Sequence, residues 1–299
     1  MLILILLILL ISALFLFLTT LKRNNYWKNR GIPGPEPLPF KGNIDLIFGK
    51  NPFALQLQRW SKIYGNIYGI KNGWINQLII SEPVMVKELL VDKFDNFHGR
   101  AISPLFGDVE TKKLIHLFFA KGKRWKRLRA IANPAFSISN LKRVMPIMND
   151  SIKINIQLLK EAQINEKYID LNNVVNRVCE ETTTLGNITI EKGTAISVDL
   201  FTLHRNKNIW GEDSEQFKPE RWLNEEGNKI KNLAFYPFGG GPRICIGMRL
   251  GIMEAKMILV QLLRTFELKR CSETKIELDL SGQIVLNSGR ITVELILRK

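Results

Sequence analysis

The apolar positions of this sequence form one long uncharged run at the start and many short periodic stretches behind it. Met1 to Leu21 contains no charged residue. As a helix it would be about 31 Å long, which matches the hydrocarbon core of a bilayer. A cleaved signal peptide would carry positive charge before this run, whereas here the charge follows it, at Lys22, Arg23, Lys28 and Arg30. We therefore predict a transmembrane signal-anchor at residues 1–21 with the body of the chain on the cytosolic side.

The patterns behind the anchor are first proline-rich and then periodic. Residues 22–44 are basic and proline-rich, and their alternating prolines predict a stiff extended linker: Pro33, Pro35, Pro37 and Pro39. Apolar spacing then predicts a helix at Phe53–Gly65, a hairpin with strands near Ile67–Ile70 and Gln77–Ile80, and a short helix from Pro83.

The second half of the chain mixes long helices with short strands. Alternating β-branched residues predict short strands within 176–210, separated at Gly186 and Gly193. We predict the remaining elements as a helix at Ser139–Ala162, a helix at Met248–Arg264, and two or three C-terminal strands turning at Ser281-Gly282 and Ser288-Gly289. The fold class is therefore α+β, mainly α, with small antiparallel sheets.

Composition and charge narrow the classes of function. The 299 residues carry a net charge of +15, which favours an acidic partner such as nucleic acid, an anionic membrane face or an acidic protein. Nucleic acid is the weakest of these and we predict none, because the chain has no zinc finger and no RNA-binding signature. The three cysteines, Cys179, Cys245 and Cys271, have the spacing of neither a disulfide framework nor a zinc site.

A basic segment, Lys121–Phe136, contains six cations between Lys121 and Arg129. Such a run is usually a solvated helix face. Trp125 and Arg129 are four residues apart, however, so they share one face of a helix. An indole N–H and a guanidinium on one face suit the binding of a carboxylate. The three histidines have no ligand spacing to one another, and we predict ordinary hydrogen-bonded roles for them.

The stretch "FGGGPRICIG", Phe238–Gly247, places Cys245 inside the most permissive loop of the chain. A phosphate-binding loop would continue with Lys-Ser or Lys-Thr, which is absent. An inert buried thiol would not need the surrounding glycines, which allow a flat partner to approach and N–H groups to point at sulfur. The positive end of the following helix also favours a thiolate. A thiolate beside Arg243 suits a haem iron ligand with a propionate contact.

This loop resembles the haem-binding signature of the cytochromes P450, and other segments of the chain resemble that family as well. Together with the anchor and the proline segment, they look most like the microsomal clan of drug- and steroid-oxidising members and related nematode and insect families. The resembling segments are Phe97–Arg100, Lys121–Arg129, Arg177–Cys179, His204–Asn206, Phe217–Trp222 and Phe238–Gly247.

The resemblance implies a haem (iron protoporphyrin IX) monooxygenase body, with an N-terminal part at 45–174 and a C-terminal haem-binding part at 175–299. It implies Cys245 as the axial iron ligand. It also implies cofactor contacts from Arg100, Trp125, Arg129, Arg177, Phe238, Gly239, Arg243 and Gly247. The implied reaction inserts one oxygen atom of O₂ into a lipophilic small molecule. The implied setting is the endoplasmic reticulum membrane, in contact with lipid and with NADPH-cytochrome P450 reductase.

Two family motifs are missing from their expected positions. The central helix of the family carries Gly-x-Asp/Glu-Thr-Thr, and the nearest match, Glu180–Thr183, falls in a strand region. The family's Glu-x-x-Arg has its only counterpart at Glu267–Arg270, after the cysteine loop. We predict that a large central block is absent, with the join near Val174–Asn176. We also expect Arg221 to be left as an unpaired buried charge, at a cost of several kcal/mol.

Several origins and several functions fit this loss. A shortened splice product, a degenerate gene and an incomplete gene record would each produce it. An active enzyme, a haem-binding or reductase-binding fragment without turnover, and a non-functional membrane fragment remain open from the sequence.

Overall fold

Helices make up most of the regular structure, and short strands form the rest. The computed structural model describes residues 2–47, 51–100, 113–162, 174–223, 225–277, 279–282, 287–289 and 291–298. The helices are α1 (Leu2–Asn24), α2 (Ile44–Ile47), α3 (Phe53–Tyr64), α4 (Pro83–Lys87), α5 (Gly122–Ala132), α6 (Ile138–Ala162), α7 (Leu200–Leu203), α8 (Lys207–Trp210), α9 (Glu225–Ala234) and α10 (Met248–Thr265). The strands are β1 (Ile67–Asn72), β2 (Ile75–Ile80), β3 (Val174–Val178), β4 (Thr183–Leu185), β5 (Ile188–Ile190), β6 (Ala195–Asp199), β7 (Phe266–Lys269), β8 (Leu280–Ser281), β9 (Asn287–Ser288) and β10 (Glu294–Leu297). The chain divides into two units, Met1–Ala101 with Asn173–Pro237 and Ile102–Asn172 with Phe238–Lys299.

A four-stranded sheet in the order β1-β2-β6-β3 forms the centre of the first unit. The predicted hairpin is confirmed as β1 and β2, which pair antiparallel and turn at Gly73 with a φ of 60°. β6 runs parallel to β2 and antiparallel to β3. Apolar side chains pack on both faces of the sheet, which explains the unbroken run of Leu78, Ile79 and Ile80 in β2.

Local sequence signals set the helix ends in this unit. The predicted helix at Phe53–Gly65 is confirmed as α3, and Gly65 ends it with a φ of 88°. The predicted helix from Pro83 is confirmed as α4. The Glu82 carboxylate accepts hydrogen bonds from the first N–H groups of α4, including that of Met85 at 2.7 Å.

The N-terminal apolar run forms one continuous helix, α1. An 18-residue window within Ile3–Asn24 has a mean hydropathy of 3.0, and none of this window is buried against protein. By length and composition this helix can cross a membrane, although a signal sequence passes the same test.

The proline-rich residues after α1 are extended and pack directly along β1. The Gly69 N–H donates to the Pro33 carbonyl at 2.8 Å, and Trp27 donates its indole N–H to the Ile70 carbonyl at 3.0 Å. A Cβ on Gly34 would overlap the carbonyl oxygen of Gly69, so glycine is required for this close approach. The segment is therefore part of the packed first unit.

The second unit contains α5, α6, α10 and two small two-stranded antiparallel sheets. The predicted helices at Ser139–Ala162 and Met248–Arg264 are confirmed as α6 and α10, which pack against each other. β7 continues directly from α10 and pairs antiparallel with β10, and β8 pairs with β9.

Large apolar side chains on α6 and α10 are exposed. Ile147 and Ile154 on α6, and Leu259 and Val260 on α10, are each about half exposed or more. Globular proteins rarely leave several such side chains uncovered on one pair of helices. Exposed apolar helix faces are what the absence of a central helical block predicts.

Candidate functional site

The cysteine loop, Phe238–Gly247, is a tight backbone turn that ends where α10 begins. The Cys245 N–H donates to the Phe238 carbonyl at 2.9 Å, which closes the loop on itself. Gly239 and Gly241 have φ values of 73° and 66°, a region that residues with a Cβ rarely adopt. The glycines noted in the sequence therefore allow the loop to turn twice and deliver Cys245 to the N-terminus of α10.

Cys245 is free and exposed. A Cβ placed on Gly247 would make van der Waals contact with the Cys245 sulfur, at 4.0 Å, and with the Phe136 ring, at 3.9 Å. The other cysteines lie in different surroundings, because Cys179 is buried and Cys271 is half-buried. Cys245 is thus the thiol that a large flat ligand can reach.

Arg243 and Trp125, both predicted site residues, are in contact within the second unit. The Arg243 guanidinium lies over the Trp125 ring, 4.5 Å from its centroid, and both side chains are buried. Arg243 also donates hydrogen bonds to the carbonyls of Ala120 and, at 3.4 Å, Phe118. These contacts attach the cysteine loop to the segment that leads into α5.

Arg129 lies one helical turn beyond Trp125 on α5, as the four-residue spacing predicts. Its side chain is half-buried. Burial lowers the pKa of the Arg129 guanidinium, while an electrostatic interaction with Cys245 acts in the opposite direction. Arg129 therefore lies within electrostatic reach of Cys245.

Arg100 and Arg177, the other two predicted arginines, come together in the first unit. The Val178 N–H donates to the Gly99 carbonyl at 3.1 Å, and these two residues form an antiparallel bridge. The antiparallel register places Arg100 opposite Arg177. Arg177 is 1% exposed, so its guanidinium is buried within the unit, whereas Arg100 is half-buried.

Glu180–Thr183 lies in a strand region, as predicted: it runs from the connection after β3 to the first residue of β4. Glu267 lies in β7. His204 accepts a hydrogen bond from the Tyr236 N–H at 3.0 Å, and burial lowers its pKa to about 4. Among the described residues, no group of three or more His, Cys, Asp or Glu side chains is placed to hold a metal ion.

The expectation of an unpaired charge at Arg221 is wrong. Its guanidinium donates to the carbonyls of Trp210 and Asp213, each at 3.0 Å, and lies 3.4 Å from the Asp213 carboxylate. The side chain is 16% exposed. The loop at residues 210–216 supplies these partners, so the missing helix is not the only source of a counter-charge.

The groups that hold Arg243 and Arg221 were not predicted from the sequence. Backbone carbonyls of Phe118 and Ala120 serve Arg243, and those of Trp210 and Asp213 serve Arg221. Every residue carries a carbonyl, so only Asp213, an acid eight residues before Arg221, offered a signal in the sequence.

The family model described as cytochrome P450 matches residues 32–178 and 168–295. The two matched segments overlap at 168–178, which includes the predicted join at Val174–Asn176. Among curated relatives, cytochrome P450 CYP13A1 of Caenorhabditis elegans is 26% identical over 478 residues, covering 86% of this chain and 92% of the relative. CYP13A2 of the same organism is 23% identical over 485 residues, covering 90% and 94%. These alignments are much longer than 299 residues, so a large block of each relative has no counterpart in this chain.

Proposed function

Since this chain belongs to the cytochrome P450 family, whose members are haem-containing monooxygenases, we propose that Cys245 is the axial ligand of a haem iron. The observation that carries the proposal is the exposed free thiol at the end of a glycine loop, directly before α10. The N-terminal end of α10 and the Arg129 guanidinium both bring positive charge towards this thiol.

The residues of the cysteine loop fit a planar cofactor. Gly247 carries no Cβ, and one placed there would contact the sulfur at 4.0 Å. The Cys245 backbone N–H already bonds to the Phe238 carbonyl, so the loop keeps its shape without a ligand. A preformed loop with an accessible thiol does not have to refold when a cofactor binds.

The family resemblance implies a role for each proposed site residue. When bound, haem supplies the iron centre at which oxygen is activated. Phe238, Gly239 and Gly247 shape the loop that presents the thiol. The guanidinium groups would offer hydrogen bonds and positive charge to the propionates: Arg100, Arg129, Arg177 and Arg243, with the indole N–H of Trp125.

The reaction that we propose for this site is the reaction of the family. One oxygen atom of O₂ would enter a lipophilic small molecule, with electrons from NADPH delivered by the cytochrome P450 reductase. The basic helix α5, with its cations from Lys121 to Arg129, is complementary to an acidic electron donor. α1 would hold the chain in the endoplasmic reticulum membrane as a single span in contact with lipid, with the body on the cytosolic side and no role in nucleic-acid binding.

A second candidate function is a haem-binding or reductase-binding fragment that does not turn over. Two observations favour it. Glu180–Thr183, the nearest match to the acid–alcohol motif, lies in a strand region rather than on a helix. Apolar side chains on α6 and α10 are exposed, consistent with a missing block that would otherwise exclude water. We therefore expect haem binding with little or no monooxygenase turnover.

Spectroscopy of the Cys245→Ala variant tests the ligand assignment, with Cys271→Ala as the matched control. The native chain and Cys271→Ala should both give the red-shifted Soret band of a thiolate-ligated, reduced carbon monoxide complex. Cys245→Ala should lose it. A variant at Cys245 that keeps this band would refute the assignment.

Turnover is tested by reconstituting the full chain with reductase, NADPH and a panel of lipophilic substrates. NADPH consumption should yield peroxide or nothing, because proton delivery is undirected. Hydroxylated product at about one per second, typical of enzymes, and abolished by Cys245→Ala, would instead establish the monooxygenase and reject the inactive fragment.

A further inference from the structure

Two cavities adjoin the point where α1 leaves its apolar run. The larger has a volume of about 250 Å³ and lies between the end of α1, the proline segment and β1. The smaller is a narrow cleft between the last turn of α1 and the β1–β2 turn. Asn24 and Lys71 line both cavities, so these two side chains form their shared wall.

Lys71 is an unusual residue in such a wall. It is 6% exposed, and no group in the described part of the chain accepts a hydrogen bond from its Nζ. Its backbone is held in place by Asn43, whose side-chain oxygen accepts from the Lys71 N–H at 2.8 Å. A buried cation without an acceptor is unfavourable, so such a group commonly marks a site for an anion that binds from outside.

The charges around Lys71 are positive. Arg23 lines the same cleft, and burial together with the Arg23 charge lowers the pKa of Lys71 to about 8. Glu36, which lines the larger cavity, is 3.7 Å from Lys28 and forms an ion pair with it. An anion placed between Lys71 and Arg23 would relieve the repulsion that now acts between them.

Aromatic side chains surround the cleft at the level where the apolar helix ends. Trp74 is 61% exposed, and the Arg23 guanidinium lies 5.1 Å from the centroid of its ring. Phe40 is exposed as well, and it has a φ of 63°, a strained value found at no other described non-glycine residue. Aromatic residues of this kind are enriched where membrane proteins meet the headgroup region.

We propose that Lys71 and Arg23 bind the phosphate of an anionic phospholipid at the end of α1. The site would use the ammonium and guanidinium groups as donors, while Trp74 and Phe40 contact the lipid beside its phosphate. A free phosphate ion offers the same chemistry to Lys71, but the aromatic rim and the adjoining apolar helix favour a ligand with acyl chains. The proposal shares with the proposed function only the premise that α1 lies in a bilayer, and it requires no haem.

The test uses the full chain in a non-ionic detergent that contains no phosphate. The probes are short-chain phosphatidic acid, short-chain phosphatidylcholine and inorganic phosphate, and retained adducts are measured by native mass spectrometry. Lys71→Met removes the ammonium, and Lys22→Met is the matched control because it removes a neighbouring exposed cation on α1. Phosphatidic acid should bind the native chain and Lys22→Met alike, and its affinity should fall about tenfold or more in Lys71→Met.

Thermal unfolding gives a second readout that a purely structural role would not reproduce. Without lipid, Lys71→Met should be as stable as the native chain or more stable, because it removes an unpaired buried charge. Phosphatidic acid should then stabilise the native chain but not the variant. Equal binding of phosphatidic acid by both chains, or a loss of stability in Lys71→Met without lipid, would overturn the proposal. Inorganic phosphate that binds as tightly as the lipid would overturn the assignment to a lipid headgroup.

Discussion

Replacement of Arg243 by methionine should loosen the cysteine loop. Arg243 donates to the Ala120 carbonyl and stacks on Trp125 at 4.5 Å, whereas its bond to Phe118, at 3.4 Å, is long. A hydrogen bond from a charged donor contributes about 2 kcal/mol, and a buried cation–π contact about 1 kcal/mol. Methionine retains apolar contact with the indole ring, so we expect a net local loss of about 2–3 kcal/mol.

Hydrogen exchange at the loop amides measures this loss locally. The N–H groups of Cys245 and Ile244 bond to the carbonyls of Phe238 and Gly241, at 2.9 and 3.0 Å, so both are protected in the folded loop. A loss of 2–3 kcal/mol should accelerate their exchange by on the order of 100-fold. Arg249→Met, at an exposed position on α10, is the control and should leave the rates unchanged. Exchange at Cys245 that is equally slow in Arg243→Met and in the native chain would show that Arg243 does not hold the loop.

Two further predictions concern topology and pH. Protease added to sealed microsomes should digest the body of the chain, because positive charge follows α1, and full protection of the C-terminus would contradict this orientation. His204 has a folded pKa of about 4, below its usual value of 6.5, so its contribution to stability is present above pH 6.5 and is lost as pH falls towards 4, by up to about 3 kcal/mol. His204→Gln should remove that loss. Burial raises the pKa of Asp199 to about 6, so its contribution to stability changes with pH in the opposite direction. Asp199 is present in both chains and therefore cancels when they are compared. A difference in stability between the native chain and His204→Gln that stays constant from pH 6.5 to pH 4 would disprove the assignment.

Local patterns in the sequence predict most of the elements. The apolar run gives α1, the two short apolar stretches near Ile67–Ile70 and Gln77–Ile80 give the β1–β2 hairpin, and the helical spacing gives α3, α6 and α10. The glycines around Cys245 likewise predict a permissive loop, and two of them, Gly239 and Gly241, have positive φ in the structure. These features depend on neighbouring residues in the chain, and periodicity and glycine placement report such neighbours directly.

The position of the missing block was also predicted from the order of motifs. Glu180–Thr183 and Glu267–Arg270 match family motifs in composition but stand at the wrong places in the chain, and the structure puts Glu180–Thr183 in a strand region and Glu267 in a strand. The two matched segments of the family model overlap across the predicted join.

Only the tertiary structure shows which groups contact the cationic side chains of Arg221 and Lys71. The sequence predicted no partner for Arg221, but a nearby loop holds it through backbone carbonyls and Asp213. No sequence pattern distinguished Lys71, which lies on β1 and is enclosed by a segment more than twenty residues earlier. Carbonyl acceptors are the same in every residue, and burial depends on contacts between distant segments. The physical surroundings of a charged side chain therefore emerge only when the chain has folded.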